Sequence, residues 1–220
     1  MTRSTPTAPE ESRPSAVPVL PYRQIRAAHT AATVTVYQAY APRIGDHAVR
    51  HGAFPESWSR SRMTWIKPSF RWMMYRSGWG TKPDQERVLA LEISREGFES
   101  ALAQACLAHY EPDVHGDRAG WAGELRAAAV RVQWDPERDL DLRPLPYRAL
   151  QLGLAGRAAR DYADHWLRAV RDVTPLAHRV RALVRAGERA ADAALLPAEP
   201  PYPVAGLDPA VAHRLHLSAG

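Results

Sequence analysis

Apolar and polar residues alternate along several short segments of the chain, in the pattern that is typical of half-buried strands. The clearest segment is 33–40, where Val34 and Val36 face one way and Thr35 and Tyr37 the other. The same pattern, or a β-branched composition, predicts further strands at 87–93, 129–134 and 147–152, and a short one at 62–66. Apolar residues at helical spacing predict helices at 42–50, 68–76 and 155–172, and two more that are capped by Ser94 and Thr174. This order of elements indicates a mixed α+β domain that ends in a pair of helices.

Length and composition define how much of the chain is expected to fold. A chain of 220 residues, 45% of them hydrophobic, can bury one sizeable core, so we expect a single domain over residues 21–196. Residues 1–20 are rich in Pro, Ser and Thr and are predicted to be a disordered tail. Residues 197–220 begin with a Pro-rich stretch and are predicted to be a loosely ordered tail. No apolar run is long enough to span a membrane and no signal sequence is found, so a cytoplasmic protein is expected.

Residues 58–82 carry most of the candidate chemistry. This segment holds four of the seven tryptophans and six arginines or lysines, but no acidic residue. Flat rings interleaved with positive charge suit a ligand that has rings and phosphates, such as a nucleotide or a nucleic-acid strand. The alternative is an ordinary core helix with a basic, solvated edge. Only two of the 29 basic residues are lysines, and both Lys67 and Lys82 flank this motif, which makes them candidates for ligand contact.

A helix start inside this segment favours the binding of an anion. Lys67 and Ser69 lie at the start of the predicted helix, whose free backbone N–H groups and dipole attract negative charge. Ser69 could instead simply cap the first turn. Trp65 or Trp72 could stack on a ring, and Arg76 lies one helical turn after Trp72.

Three more polar candidates lie at or near strand ends. The Gln38 amide ends one strand face, where it is either a satisfied core group or a ligand contact. Gln133 lies near the end of a strand that the Asp135–Pro136 pair is expected to stop sharply. Glu137 follows in the turn, where simple exposure is the alternative to a functional role. The sequence has no Gly-rich phosphate loop, no nucleophile elbow and no cluster of metal ligands, so no metal is expected.

Several longer motifs form a recognisable set: Val36-Tyr-Gln-Ala-Tyr40, Arg62-Met-Thr-Trp-Ile-Lys-Pro-Ser-Phe70, Trp72-Met-Met-Tyr-Arg-Ser-Gly-Trp79 and Trp134-Asp-Pro-Glu-Arg138. On these residues, and over about positions 22–190, the chain resembles the bacterial and fungal domain-of-unknown-function family 4291. That family brings no established activity.

More distantly, the strand, helix and glycine at 36–52 and the strand at 88–93 resemble the layout of ADP-ribosyltransferases. This resemblance implies two small, mostly antiparallel sheets, flanked by helices, that form a cleft for NAD. The site residues of such enzymes would correspond here to Gln38, to Ser69 or Tyr75, and to Gln133 or Glu137.

Two functions are therefore expected. The first is an enzyme that cleaves NAD and transfers ADP-ribose to an acceptor such as RNA or DNA. Lys67, Arg76 and the helix start would then hold the pyrophosphate, and Gln133 or Glu137 would stabilise the ribosyl cation. The second is a non-catalytic protein that binds a nucleotide or a single-stranded nucleic acid. In either case we expect Gln38, Lys67, Ser69, Trp72, Arg76 and the 133–137 segment to line one cleft.

Overall fold

The computed structural model of the chain describes residues 20–188, 194–204 and 206–218. The expected disordered tail at 1–20 lies, except for its last residue, outside the described residues. The strands are Thr33–Tyr40 (β1), Thr64–Ile66 (β2), Arg87–Ser94 (β3), Ala105–Leu107 (β4), Val130–Arg138 (β5), Pro144–Leu154 (β6) and Leu167–Asp172 (β7). The helices are Pro42–His51 (α1), Phe70–Ser77 (α2), Arg95–Gln104 (α3), Arg118–Ala127 (α4), Gly156–Asp161 (α5), Thr174–Ala186 (α6) and Pro209–Arg214 (α7).

Within this part of the chain, the strands form two sheets. One has the order β1-β3-β7 and is antiparallel throughout. The other has the order β2-β6-β5-β4, in which only β4 and β5 are parallel. The protein is therefore an α+β fold with two mostly antiparallel sheets, as expected.

The main core lies between the two sheets, because each sheet turns one apolar face inward. The alternate residues Val34 and Val36 of β1 and Leu91 of β3 belong to the same buried cluster as Val132 of β5 and Leu152 of β6. A second buried cluster covers the outer face of the first sheet, where Tyr37, Phe70, Met74, Val88 and Val180 join β1, α2, β3 and α6. Both faces of the first sheet are thus buried, whereas the second sheet turns only one face to the main core.

Most of the predicted elements are found close to their expected positions. The strand at 33–40 has the predicted limits, and α1 ends at Gly52, which adopts the left-handed conformation that terminates a helix. Ser94 caps α3 by accepting a hydrogen bond from the Gly97 amide at 3.2 Å. Thr174 is not a cap but the first residue of α6, and its hydroxyl accepts a hydrogen bond from the Val88 amide at 2.9 Å.

The predicted helix at 155–172 is wrong in its second half. The helix α5 continues as one π-helical turn, Tyr162–Trp166, and the chain then forms β7. Strand β7 pairs with β3, which without it would have an unpaired edge. Tertiary pairing therefore overrides the helical periodicity, and a strand separates the expected pair of C-terminal helices.

The third predicted strand is longer than expected. Strand β5 passes through Asp135 and Pro136 and ends at Arg138. The register of its pairing with β6 shifts between Pro136 and Arg138, and such an irregularity tolerates a proline that cannot donate a hydrogen bond.

The described part of the C-terminal segment packs against the core. Tyr202 and Leu215 are buried, and the Trp134 Nε1 group donates a hydrogen bond to the Leu215 carbonyl at 2.8 Å. Isolated apolar residues such as Tyr202, which stands between two prolines, show no periodicity. For this reason the sequence did not predict the packing.

Candidate functional site

A cleft of about 670 Å³ opens where the edges of the two sheets meet. The edges are joined by a hydrogen bond from the Tyr37 amide to the Lys67 carbonyl at 2.7 Å, and the strands then diverge. The end of β1, the start of α1, the loop before β2, β2 itself and one face of α2 form the walls. The volume is within the range of pockets that hold small organic ligands.

Aromatic and basic side chains dominate the walls of this cleft. The aromatic residues are Trp58, Trp65 and Trp72, and the arginines are Arg43, Arg62 and Arg76. Arg62 is exposed, and within the described residues no acid pairs with its side chain. The other two arginines are held loosely at the rim, Arg43 at 3.9 Å from the Asp84 carboxylate and Arg76 by a hydrogen bond to Gln85.

A glycine positions the Trp65 ring. Gly153 pairs with Trp65 across β2 and β6, and a Cβ atom at Gly153 would lie only 2.8 Å from the ring. The indole therefore occupies the space that a side chain on β6 would fill.

One buried polar group on the cleft wall has no partner among the described residues. Gln151 lies on β6, lines the cleft and is only 8% exposed. Within the described part of the chain, its amide makes no side-chain hydrogen bond. Its amide nitrogen and oxygen reach the cleft and are not sealed inside the protein, so they are free to bond to water or to a molecule that enters the cleft.

Gln38, by contrast, is a fully bonded core amide. Its Nε2 group donates to the Thr64 hydroxyl at 2.8 Å and to the Trp65 carbonyl at 2.9 Å. Its Oε1 atom accepts from the hydroxyls of Tyr40 at 2.7 Å and Tyr162 at 2.6 Å. Every donor and acceptor position of the amide is used. The geometry therefore supports a structural role for Gln38 and not contact with a ligand.

Lys67 is almost completely buried beside the cleft. Its Nζ atom lies 2.6 Å from the Asp135 Oδ2 atom and 3.4 Å from the centre of the Trp72 ring. Burial lowers the pKa of the amine to about 8, although the Asp135 carboxylate opposes this shift. The lysine therefore lines the cleft but is already paired.

The start of α2 is already occupied by groups of the chain itself. The Ser69 hydroxyl accepts from the Trp72 amide at 3.1 Å, and the Phe70 amide donates to the Glu199 carboxylate at 2.7 Å. Burial, together with the nearby Glu137 carboxylate, raises the pKa of Glu199 to about 8. The Glu199 carboxyl group thus occupies this helix start, and the Phe70 amide is already bonded within the chain.

Glu137 and Gln133 lie outside the cleft. Glu137 is buried and accepts hydrogen bonds from the Ser69 hydroxyl at 2.9 Å and from the Arg138 amide at 2.7 Å. Gln133 lines a second cavity of about 330 Å³, where it donates to the Asp135 Oδ1 atom at 2.8 Å. Its cross-strand neighbour Gln151 lies in the cleft instead.

Tyr75 and Lys82 also lie away from the cleft walls. The Arg138 guanidinium lies 3.7 Å from the centre of the Tyr75 ring, and the Lys82 amine donates to the Arg76 carbonyl at 2.9 Å. Lys82 therefore satisfies a carbonyl at the end of α2.

The expected common cleft is thus only partly present. The sequence-predicted residues that line it are Gln38, Trp65, Lys67, Trp72 and Arg76, and those that do not are Ser69, Tyr75, Lys82, Gln133 and Glu137. Sequence reasoning gave no such role to the cleft residues Arg43, Arg62 and Gln151. Gln151 lies in the strand predicted at 147–152, but its position beside the cleft depends on the pairing of β6 with β2.

The profile of the family described as Domain of unknown function (DUF4291) matches residues 24–202 of this chain. The chain therefore belongs to this family. No curated protein matches the chain. The matched range includes the whole cleft lining together with Glu199.

Two further findings concern metal ions and membranes. Within residues 20–188, 194–204 and 206–218, no group of three or more His, Cys, Asp or Glu side chains could hold a metal ion. The helices in those same ranges are too short or too polar to cross a bilayer.

Proposed function

We propose that the cleft binds a nucleotide, with the ring in contact with Gln151 and the tryptophans, and the phosphates near the arginines. The observation that carries this proposal is the unpartnered Gln151 amide, buried on the wall of an aromatic and basic cleft. An amide offers a donor and an acceptor side by side, and this pair matches the edge of adenine or the carboxamide of nicotinamide.

The arginines at the mouth of the cleft supply the affinity for phosphate. Arg62 is exposed and Arg43 is only loosely paired, so both guanidinium groups can turn toward an anion at little cost. Trp65 and Trp72 provide flat surfaces for a ring, although Lys67 already covers one side of Trp72.

The test is the affinity for ADP, NAD and a short single-stranded RNA, measured by titration calorimetry at two salt concentrations. In Gln151→Met the side chain keeps its length but loses its hydrogen bonds. We expect this variant to bind about 5- to 150-fold more weakly, which corresponds to about 1–3 kcal/mol. We also expect it to melt at the same or a higher temperature, because the lost amide makes no hydrogen bond to the described residues of the protein.

Arg62→Ala tests the phosphate contact, with Arg179→Ala as the matched control. Both arginines are exposed, but Arg179 lies on α6 and not on the cleft wall. Arg62→Ala should weaken binding and reduce its dependence on salt, whereas Arg179→Ala should change neither. Equal affinity of the wild type, Gln151→Met and Arg62→Ala for all three ligands would refute the proposal.

A second candidate function is cleavage of NAD with transfer of ADP-ribose to an acceptor such as nucleic acid. The observation that favours it is again Gln151, because its amide is complementary to the nicotinamide carboxamide. Glu137 would have no direct part, since it is buried against Ser69 behind α2. Release of nicotinamide from labelled NAD, assayed with RNA, DNA and protein acceptors, tests this function. Binding of NAD without release under any of these conditions would leave only the first proposal.

A further inference from the structure

Lys67 differs chemically from nearly all other cations of this chain. Of the 29 basic side chains only two are lysines, and Lys67 is the one that lines the cleft. A guanidinium group stays charged in proteins, whereas a lysine amine can lose its proton and become a nucleophile. An amine at this position can therefore act as a nucleophile, which an arginine side chain cannot do.

The groups around Lys67 hold its amine and set its charge. Asp135 contacts the amine directly at 2.6 Å, and the Trp72 ring lies against it on α2. Of the other charged groups nearby, Glu137 favours the ammonium form and Arg138 disfavours it. Burial outweighs these charges and brings the pKa down to about 8, so the amine is partly neutral near physiological pH.

The Lys67–Asp135 pair also forms part of the wall between the two cavities. Lys67 lines the cleft, whereas Asp135 lines the second cavity and is 15% exposed there. The ion pair therefore connects residues that line the two cavities.

We propose that Lys67 is the reactive amine of the cleft and forms an imine with an aldehyde or ketone that carries a phosphate. The neutral amine attacks the carbonyl carbon, the electron pair of the C=O bond moves to oxygen, and water leaves to give the C=N bond. The arginines at the cleft mouth attract the phosphate. This inference concerns the same cleft as the proposed function, but it does not require that a nucleotide is the ligand.

The test uses pyridoxal 5′-phosphate as the probe and sodium cyanoborohydride to reduce the imine to a stable secondary amine. Peptide mapping by mass spectrometry then compares Lys67 with Lys82, the exposed lysine at the end of α2. At pH 8 an amine with a pKa of about 8 is half neutral, whereas an ordinary lysine amine at about 10.4 is less than about 1% neutral. We expect at least roughly 10-fold faster labelling of Lys67 than of Lys82.

Three comparisons define the result. Pyridoxal without the phosphate should label Lys67 more slowly than the phosphorylated probe. Lys67→Arg should lose the fast-labelled site while it keeps the charge beside Asp135. Asp135→Asn should move the midpoint of the pH profile for Lys67 to lower pH, because the carboxylate that stabilises the ammonium form is gone.

The outcomes separate this inference from the proposed function. If only Lys82 or a terminal amine is labelled in folded protein, the inference is overturned, even when calorimetry shows that ADP binds. If Lys67 is labelled rapidly and ADP does not slow the reaction, the inference stands and the nucleotide proposal fails. Slow labelling of Lys67 with the same pH profile as Lys82 would also overturn it.

Discussion

Replacement of Gln38 by leucine should destabilise the protein strongly, because one amide joins β1 to β2 and to two tyrosines. In Gln38→Leu the Tyr162 hydroxyl and the Trp65 carbonyl lose their hydrogen bonds to this amide. The Tyr40 hydroxyl still accepts a hydrogen bond from the Trp58 Nε1 group, so its loss is smaller. Each buried polar group without a partner costs about 1–3 kcal/mol, which gives a loss of roughly 2–6 kcal/mol.

This loss is large compared with the total stability of a domain, which is typically about 5–15 kcal/mol. For a chain of this size it should lower the melting temperature by about 5–20 °C. Urea denaturation should show a lower midpoint with an unchanged slope, since the folded state buries the same surface. Gln104→Leu is the matched control, because Gln104 is exposed on α3 and bonds only within its own helix.

A second variant, Gln38→Glu, separates the donor contacts of this residue from its acceptor contacts. A carboxylate can still accept from both tyrosines, but it faces the Trp65 carbonyl without a proton to donate. The folded state therefore favours the protonated acid, so this variant should lose stability as the pH rises. If Gln38→Leu melted within about 1 °C of the wild type yet failed to bind ADP, Gln38 would be a ligand group and our reasoning would be wrong.

Three further outcomes follow from the same structure. The pKa of Glu199 is raised on folding, so the free energy of unfolding of the wild type should fall as the pH rises from about 4.5 to about 8. Urea denaturation at several pH values should show that Glu199→Gln removes this pH dependence. If Glu199→Gln kept the same dependence of stability on pH, Glu199 would not be held at the start of α2. Gly153→Ala should cost about 1–3 kcal/mol and change the tryptophan fluorescence, because its Cβ atom would meet the Trp65 ring; unaltered fluorescence would contradict this placement. Lys82→Met should cost less than about 1 kcal/mol and leave the affinity for ADP unchanged, because Lys82 bonds to the end of α2 and not to a ligand; weaker ADP binding would contradict that location.

The sequence predicted local structure well wherever the local signal and the tertiary environment agree. Strand β1 has strictly inward and outward residues, and its limits were predicted without error. The segment at 167–172 was predicted wrongly, because its one alanine and two arginines also fit a helix. Only the free edge of β3, which is formed by residues far away in sequence, decides that this segment is a strand.

The sequence by itself determined that residues 58–82 supply much of the candidate site, because rings and positive charges are concentrated there. Only the tertiary structure decided which side chains face the cleft. The register of β5 and β6 places Gln151 and Gln133 side by side on one face, and the strand order β2-β6-β5-β4 puts Gln151 beside the cleft and Gln133 one strand further away, in the second cavity. In the same way, Glu199 takes the helix start that a phosphate would need. A sequence records which groups are available, but whether a group is already bonded depends on partners that the fold brings from distant positions.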